Sequence, residues 1–277
     1  LVKLLPGEHH LLFTDVDGNF PNHHPDPTED ANLADLRALV AAKKLHFGVA
    51  FDGDGDRVGV IDGEGRVLRG DQILSILVEP VLRAMPGAAI VADVKSSSAL
   101  FDRIAALGGR PVMWKSGHSN IKAMMRELGA PIGGEMSGHI FFGGDWLGFD
   151  DALHAAVRLI DAVQASGKSL AAMHDALPAL VSTPELRFAV DPARKEQVVA
   201  EVVARLRAAG AAVDTTDGAR VSVDGGWWLL RASNTEDMLT ARAEAGSADA
   251  LARIVAAIDA QLALSNVARH GGCEAPH

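Results

Sequence analysis

Phe51-Asp52-Gly53-Asp54-Gly55-Asp56-Arg57 is the stretch from which the rest of the sequence can be read. The apolar, strand-like run Phe47–Phe51 feeds into three carboxylates on alternate residues, separated by glycines, and a second such run, Val58–Asp62, follows. Glycine reaches positive φ, so the loop can curl and aim all three carboxylates at one point. Convergent carboxylates repel one another. A hard divalent cation such as Mg²⁺, which takes oxygen ligands and often a phosphate oxygen among them, resolves the conflict. Arg57 supplies a charge suited to that phosphate. The competing reading is a solvated acidic turn. A calcium loop of the EF-hand type is excluded, because it needs Gly at its sixth position and Glu at its twelfth, where this sequence has Arg57 and Gly63.

Outward from the loop, strand-like runs at 11–15, 88–93, Arg110–Trp114 and 139–142 alternate with amphipathic stretches at 30–44, 71–85, 97–107, 119–128 and 150–165. This β-then-α alternation predicts α/β layers. The texture changes from about Pro184. A strand-like run at 186–190, a helix over 192–209, strands at 220–223, 227–231 and 239–244, and a last helix over 247–264 predict a small α+β unit. Pro192 near the start of the first of these helices and Gly210 past its end fit helix start and stop chemistry. The expected organisation is multi-domain. Residues 1–66 form part of an α/β domain carrying the Asp loop, 67–180 a second α/β domain, 181–266 a small α+β domain and 267–277 a tail.

Composition bounds the function. The 277 residues are 48% hydrophobic, ample for buried cores, and carry a formal net charge of −10. So acidic a chain does not bind nucleic acid through its overall field, and an anionic ligand must be held by local Lys, Arg and backbone N–H groups. The lone Cys273 forms no intrachain disulfide and fits a reducing compartment. No run approaches the roughly 18 apolar residues of a membrane span. The expected location is cytoplasmic, with neither membrane nor nucleic acid as partner.

Two further loops carry chemistry. In Gly133-Gly134-Glu135-Met136-Ser137-Gly138-His139, flanking glycines let the backbone approach a ligand, while Glu135, Ser137 and His139 offer the mixed donors and acceptors that suit vicinal sugar hydroxyls. The bland alternative is an ordinary Gly-rich turn. After the strand-like Trp227–Arg231 run come Ala232-Ser233-Asn234-Thr235-Glu236. The Arg231 fork, the short polar side chains of Ser233, Asn234 and Thr235, and the turn's N–H groups suit a phosphate, although Ser, Asn and Thr are also common turn residues. Lys95 and His118 follow predicted strands, where α/β sheets place ligands. Gly167-Lys168-Ser169 is not a P-loop, since Ala162 stands where that motif needs glycine.

Taken in order, these motifs resemble the α-D-phosphohexomutases. The Asp-Gly-Asp-Gly-Asp-Arg metal loop is matched by Asp52–Arg57, the Gly-Glu-Met-Ser-Gly-His sugar loop by Gly134–His139, and the C-terminal phosphate loop by Arg231–Thr235, with Lys95 and Gly117-His118-Ser119 between. The resemblance runs from about Leu11 to Asn266 and implies the latter part of a second domain, a third α/β domain and a fourth, small α+β domain. It implies an enzyme that interconverts hexose 1-phosphates and hexose 6-phosphates of mannose or glucose through a hexose 1,6-bisphosphate. A phosphoserine in a first domain would donate the phosphoryl group. It further implies Mg²⁺ on Asp52, Asp54 and Asp56, and Arg57 at the transferring phosphoryl. Glu135 and Ser137 would read sugar hydroxyls, Lys95, His118 and His139 would line the sugar site, and Arg231, Ser233, Asn234 and Thr235 would hold the distal phosphate.

Two departures stand out. The family's Ser-His-Asn-Pro nucleophile motif occurs nowhere in the 277 residues, so the isolated chain is expected to be inactive, its natural partner being the missing N-terminal domain. Asp237 sits where the family often has proline, and its charge would weaken phosphate binding slightly. Three other readings stay open. One is a phosphoglucosamine mutase of the same fold, and one a non-catalytic fragment that binds sugar phosphate and Mg²⁺. The last is a haloacid-dehalogenase-type phosphatase with Asp15 as nucleophile and Asp17 as acid/base on the 11–15 strand.

Overall fold

The computed structural model describes residues 2–144, 146–233 and 236–269. Asn234 and Thr235 of the expected phosphate loop lie outside the described residues, as does the tail with Cys273.

The Asp loop joins β1 (Phe47–Phe51) and β2 (Val58–Asp62), which pair antiparallel from Phe47 opposite Asp62 to Phe51 opposite Val58. Helix α1 (Ala34–Lys43) precedes them, and β3 (Val67–Leu68) pairs with β2. The first sheet therefore continues through residue 68, past the boundary expected at 66. No strand forms at 11–15. Leu11, Leu12 and Phe13 are exposed, and Phe13 has φ 53°. With no neighbouring strand to accept its backbone groups and a left-handed residue in its middle, this apolar run stays irregular. The phosphatase reading needs Asp15 at the end of a buried strand, and it fails here.

The middle sheet has the order β5-β4-β6-β7. It comprises β4 (Ala89–Asp93), β5 (Arg110–Trp114), β6 (Ile132–Gly134) and β7 (Ile140–Phe142). β4 runs parallel to β5 and β6, while β7 is antiparallel to β6. Every residue of β4 is buried, because both faces of the sheet are covered. Ile90 and Ala92 pack with α2 (Gly70–Ala84), α3 (Ser98–Ala106) and α5 (Ala152–Ser166), while Ala89 and Val91 pack with α4 (His118–Leu128). Val58, Val60 and Leu68 join the first of these cores and so fix the Asp loop against the middle sheet. A short α6 (Leu170–Asp175) follows.

The C-terminal sheet is antiparallel throughout, in the order β10-β11-β12-β13-β8, with β9 also on β13. Its strands are β8 (Val181–Ser182), β9 (Leu186–Ala189), β10 (Val213–Asp214), β11 (Ala219–Val223), β12 (Gly226–Ala232) and β13 (Met238–Ala245). Helices α7 (Lys195–Ala208) and α8 (Ala248–Ala263) cover one face. Register aligns Arg220, Leu229 and Arg242 in one row and Ser222, Trp227 and Glu244 in the next. These rows occupy the other face, where Trp227 and Leu229 pack on Val94 and Met113 of the middle unit. The architecture is thus the expected one, α/β layers followed by a small α+β unit. Among the described residues no helix is long and apolar enough to cross a membrane.

Candidate functional site

In a sheet of parallel strands the loops at the carboxyl ends gather ligands. Here the loops after β4, β5 and β6 carry Lys95, His118 and the Glu135–His139 turn. Lys95, His118 and, from that turn, Glu135, Ser137 and His139 line one cleft of about 360 Å³ that Arg231 and Ser233 close from the C-terminal sheet.

Asp52 is the most buried of the three loop carboxylates, and its Oδ1 accepts from the N–H groups of Gly55, Asp56 and Arg57 at 3.0, 3.0 and 3.1 Å. Its Oδ2 accepts from Arg57 Nε at 2.7 Å, while Arg57 Nη1 donates to Asp26 at 3.0 Å. Burial lifts the Asp52 carboxyl, but its bond with Asp56 and the Arg57 N–H and guanidinium outweigh that and hold it at about 2. Burial, the shared bond and the charges of Asp52, Asp54 and Asp150 push Asp56 up to about 7. Asp52, Asp54 and Asp56 each present an oxygen, all within 4.8 Å of one another. This all-oxygen donor set, with one carboxyl driven toward protonation by its neighbours, fits a hard divalent cation.

The Glu135–His139 loop is pinned to both neighbours. Gly138 has φ +94°, and a Cβ there would stand 2.7 Å from the Val58 carbonyl; its own carbonyl accepts from Val58 N–H at 3.0 Å. His139 bridges to Arg57, which joins the Asp loop and the Glu135–His139 loop directly. Glu135 is buried and its Oε1 accepts from Gly117 N–H at 2.6 Å. Burial, then the nearby Asp93 charge, pushes its carboxyl up to about 7. His139 Nδ1 lies 3.3 Å from Asp150 and 3.6 Å from Asp56, and burial lowers its pKa. The His118 ring stacks 5.9 Å from that of His139, and Lys122 holds Asp150 at 2.9 Å.

Several partners carried no signal in the sequence. Glu185 pairs with Lys95 at 2.9 Å, and Asp217 holds the buried Arg231 at 3.1 Å while accepting from Ser116 N–H at 3.0 Å. Asp150 belongs with them, since none of the three lies in a motif that names its partner: Glu185 is 90 positions from Lys95, and Asp217 and Asp150 sit outside the segments they contact. Ser233 Oγ accepts from Glu236 N–H at 3.1 Å. The exposed Asp237 faces Lys195 Nζ at 3.6 Å.

Comparison with known proteins covers most of the chain. Residues 4–65, 69–181 and 185–261 match, in turn, the phosphoglucomutase/phosphomannomutase α/β/α domain II, α/β/α domain III and C-terminal domain. A phosphomannomutase/phosphoglucomutase of Pseudomonas aeruginosa is 44% identical over 243 residues, covering 88% of this chain and 52% of its own length. A phosphoglucomutase of Neisseria gonorrhoeae is 43% identical over 92% of this chain and 55% of its own. The crystal structure of a phosphoglucomutase/phosphomannomutase family protein from Burkholderia thailandensis superposes with a TM-score of 0.86 at 43% identity, over 92% of this chain and 54% of that one. The chain spans about half the length of the curated relatives it matches. It belongs to the phosphoglucomutase/phosphomannomutase family.

Proposed function

We propose that the protein interconverts the 1-phosphates and 6-phosphates of mannose and glucose through a bisphosphorylated sugar. The observation that carries this reading is the single cleft into which four loops bring a phosphate anchor (Arg231, Ser233), hydroxyl-reading groups (Glu135, Ser137) and proton-carrying groups (Lys95, His118, His139) beside a cation-ready Asp loop. Asn234 and Thr235 would complete the anchor.

Asp52, Asp54 and Asp56 would hold Mg²⁺, which when bound neutralises the developing charge of a transferring phosphoryl group. Arg57 spends Nε and Nη1 on Asp52 and Asp26, leaving Nη2 as its uncommitted donor among the described residues. Asp150 lies 3.3 Å from His139 Nδ1, a charge that would favour a proton on that nitrogen and leave Nε2 to exchange one with a sugar hydroxyl. Glu135, with its carboxyl near 7, can either donate to or accept from the ring. Phosphoryl transfer needs little more than such positioning and charge stabilisation. The serine that carries the phosphoryl group would come from sequence outside these 277 residues.

The test is a coupled assay of mannose 1-phosphate and glucose 1-phosphate with Mg²⁺ and a hexose 1,6-bisphosphate primer. It is run on this chain and on the protein extended upstream through its reading frame. Turnover by the extended protein alone supports the reading. Turnover by the short chain would place the phosphoryl carrier within it and overturn the mechanism. Preference for glucosamine 1-phosphate would replace mannose and glucose as substrates.

A further inference from the structure

Asp93 ends β4 and is 1% exposed. It forms no ion pair among the described residues, so its charge is met by neutral hydrogen-bond donors. Its Oδ1 accepts from Ser96 Oγ at 2.6 Å and from Met136 N–H at 3.3 Å, and its Oδ2 accepts from Ser116 Oγ at 3.1 Å. Those three donors belong to three different loops, bearing Lys95, His118 and Glu135.

The topology explains the convergence. β4 lies between β5 and β6, with Asp93 opposite Trp114 and Ala92 opposite Gly134, so all three loops leave the sheet within a residue or two of this one carboxylate. An isolated carboxylate buried this deeply costs several kcal/mol unless it is well bonded. An apolar residue would close the sheet end without that cost, whereas only a group with several acceptor sites can tie three strand ends at once.

We infer that Asp93 is a positioning residue for the reaction, the shared anchor that sets Lys95, His118 and Glu135 relative to one another without itself touching the sugar phosphate. The inference rests on the mutase reading for what those three groups do. Two features support it. Gly117 N–H donates to Glu135, tying the second loop to the third. The charges facing Glu135 are those of Asp93, Lys95 and Asp150, so the anchor also contributes to the field at the group it positions.

The test uses the protein carrying its upstream sequence, with two readouts. The first is amide hydrogen exchange by mass spectrometry. Ser96→Ala should speed exchange in 94–98 alone, and Ser116→Ala in 115–118 alone. Asp93→Ala should speed all three loops, including 135–138, by about tenfold or more, with α2 and α5 unchanged. Asp93→Asn, which keeps acceptor and shape, should restore most of the protection; it also keeps the test alive if Asp93→Ala does not fold. The second readout is kinetic. Ser96→Ala should lower kcat about 3- to 10-fold, the worth of one hydrogen bond, and should add nothing in a Lys95→Ala background. Faster exchange across α2 and α5 in Asp93→Ala, or a full Ser96→Ala loss in the Lys95→Ala background, would reduce Asp93 to a general structural residue and overturn the inference. If the unsubstituted protein does not turn over hexose phosphates, the mutase reading falls, and the exchange pattern still decides whether Asp93 holds the loops.

Discussion

At the scale of single residues, Glu135 and Asp54 make separable predictions. Burial and Asp93 raise the Glu135 carboxyl from 4.5 to about 7. Between those values the unfolded chain has released a proton that the folded protein keeps, so this contribution to stability falls as pH rises and is gone above about 7. Glu135→Gln keeps the acceptor for Gly117 and removes the titration. Denaturant unfolding should show the variant more stable than wild type by about 1–3 kcal/mol at pH 8 and near parity at pH 4.5. Equal effects at both pH values would show that the buried charge is not what matters. Asp54 is exposed, and Asp54→Asn should change stability by less than about 0.5 kcal/mol. Millimolar Mg²⁺ should raise the wild-type Tm by binding the folded state, and it should do so far less in this variant. A Tm response equal to that of wild type would remove Asp54 from the ligand set.

At the scale of elements, loops and strands constrain each other. Gly70 opens α2, and a Cβ there would lie 2.2 Å from the Glu135 carbonyl. Gly70→Ala should therefore displace the Glu135–His139 loop, cost about 2–4 kcal/mol and, on the proposed function, raise KM for the sugar phosphate. A fully stable variant with unchanged KM would show that the loop has slack. The sequence made the longer elements readable because each carries a period or a stop signal: the Val58–Asp62 strand, the amphipathic α2, and α7 between Pro192 and Gly210. It was silent on β3, β8 and β10, which are two residues long and exist only because a neighbour supplies hydrogen bonds. β6 was hidden by Gly133 and Gly134, residues that weaken a strand intrinsically. Gly133 is required there, since a Cβ would meet Met125 Sδ at 2.7 Å. Run 11–15 misled in the opposite sense, having strand composition but no partner. In the candidate site, motif residues were legible because their spacing is short-range. Asp150, Glu185 and Asp217 were not, because only the fold brings them to His139, Lys95 and Arg231.

At the scale of the whole molecule, the C-terminal sheet grips the loop that bears Lys95. Arg220 lies 3.6 Å over the Trp227 ring and donates to the carbonyls of Val94 and Ser96, and Arg242 donates to that of Lys95. Glu244 accepts from Ser97 Oγ at 2.9 Å, Ser98 N–H at 3.2 Å and Trp227 Nε1 at 2.8 Å. Burial, against the attraction of Glu244, brings the Arg220 pKa down to about 10. Trp227→Ala removes the plate on which this cluster rests. It should cost about 3–5 kcal/mol and split a single calorimetric transition into two, the C-terminal unit melting first. A lowered but still single transition would mean that the two units are coupled elsewhere. The same grip sets an order of events on the ribosome. Arg220 stands 126 and 124 positions after the carbonyls it binds, and Arg242 follows Lys95 by 147. A nascent chain can therefore close its middle sheet while the carbonyls of 94–96 are still bonded to water. The Lys95 loop, already tied to Asp93 within the middle unit, gains its last carbonyl partner only after β13 has emerged, which makes this part of the cleft one of the last pieces of the protein to be finished.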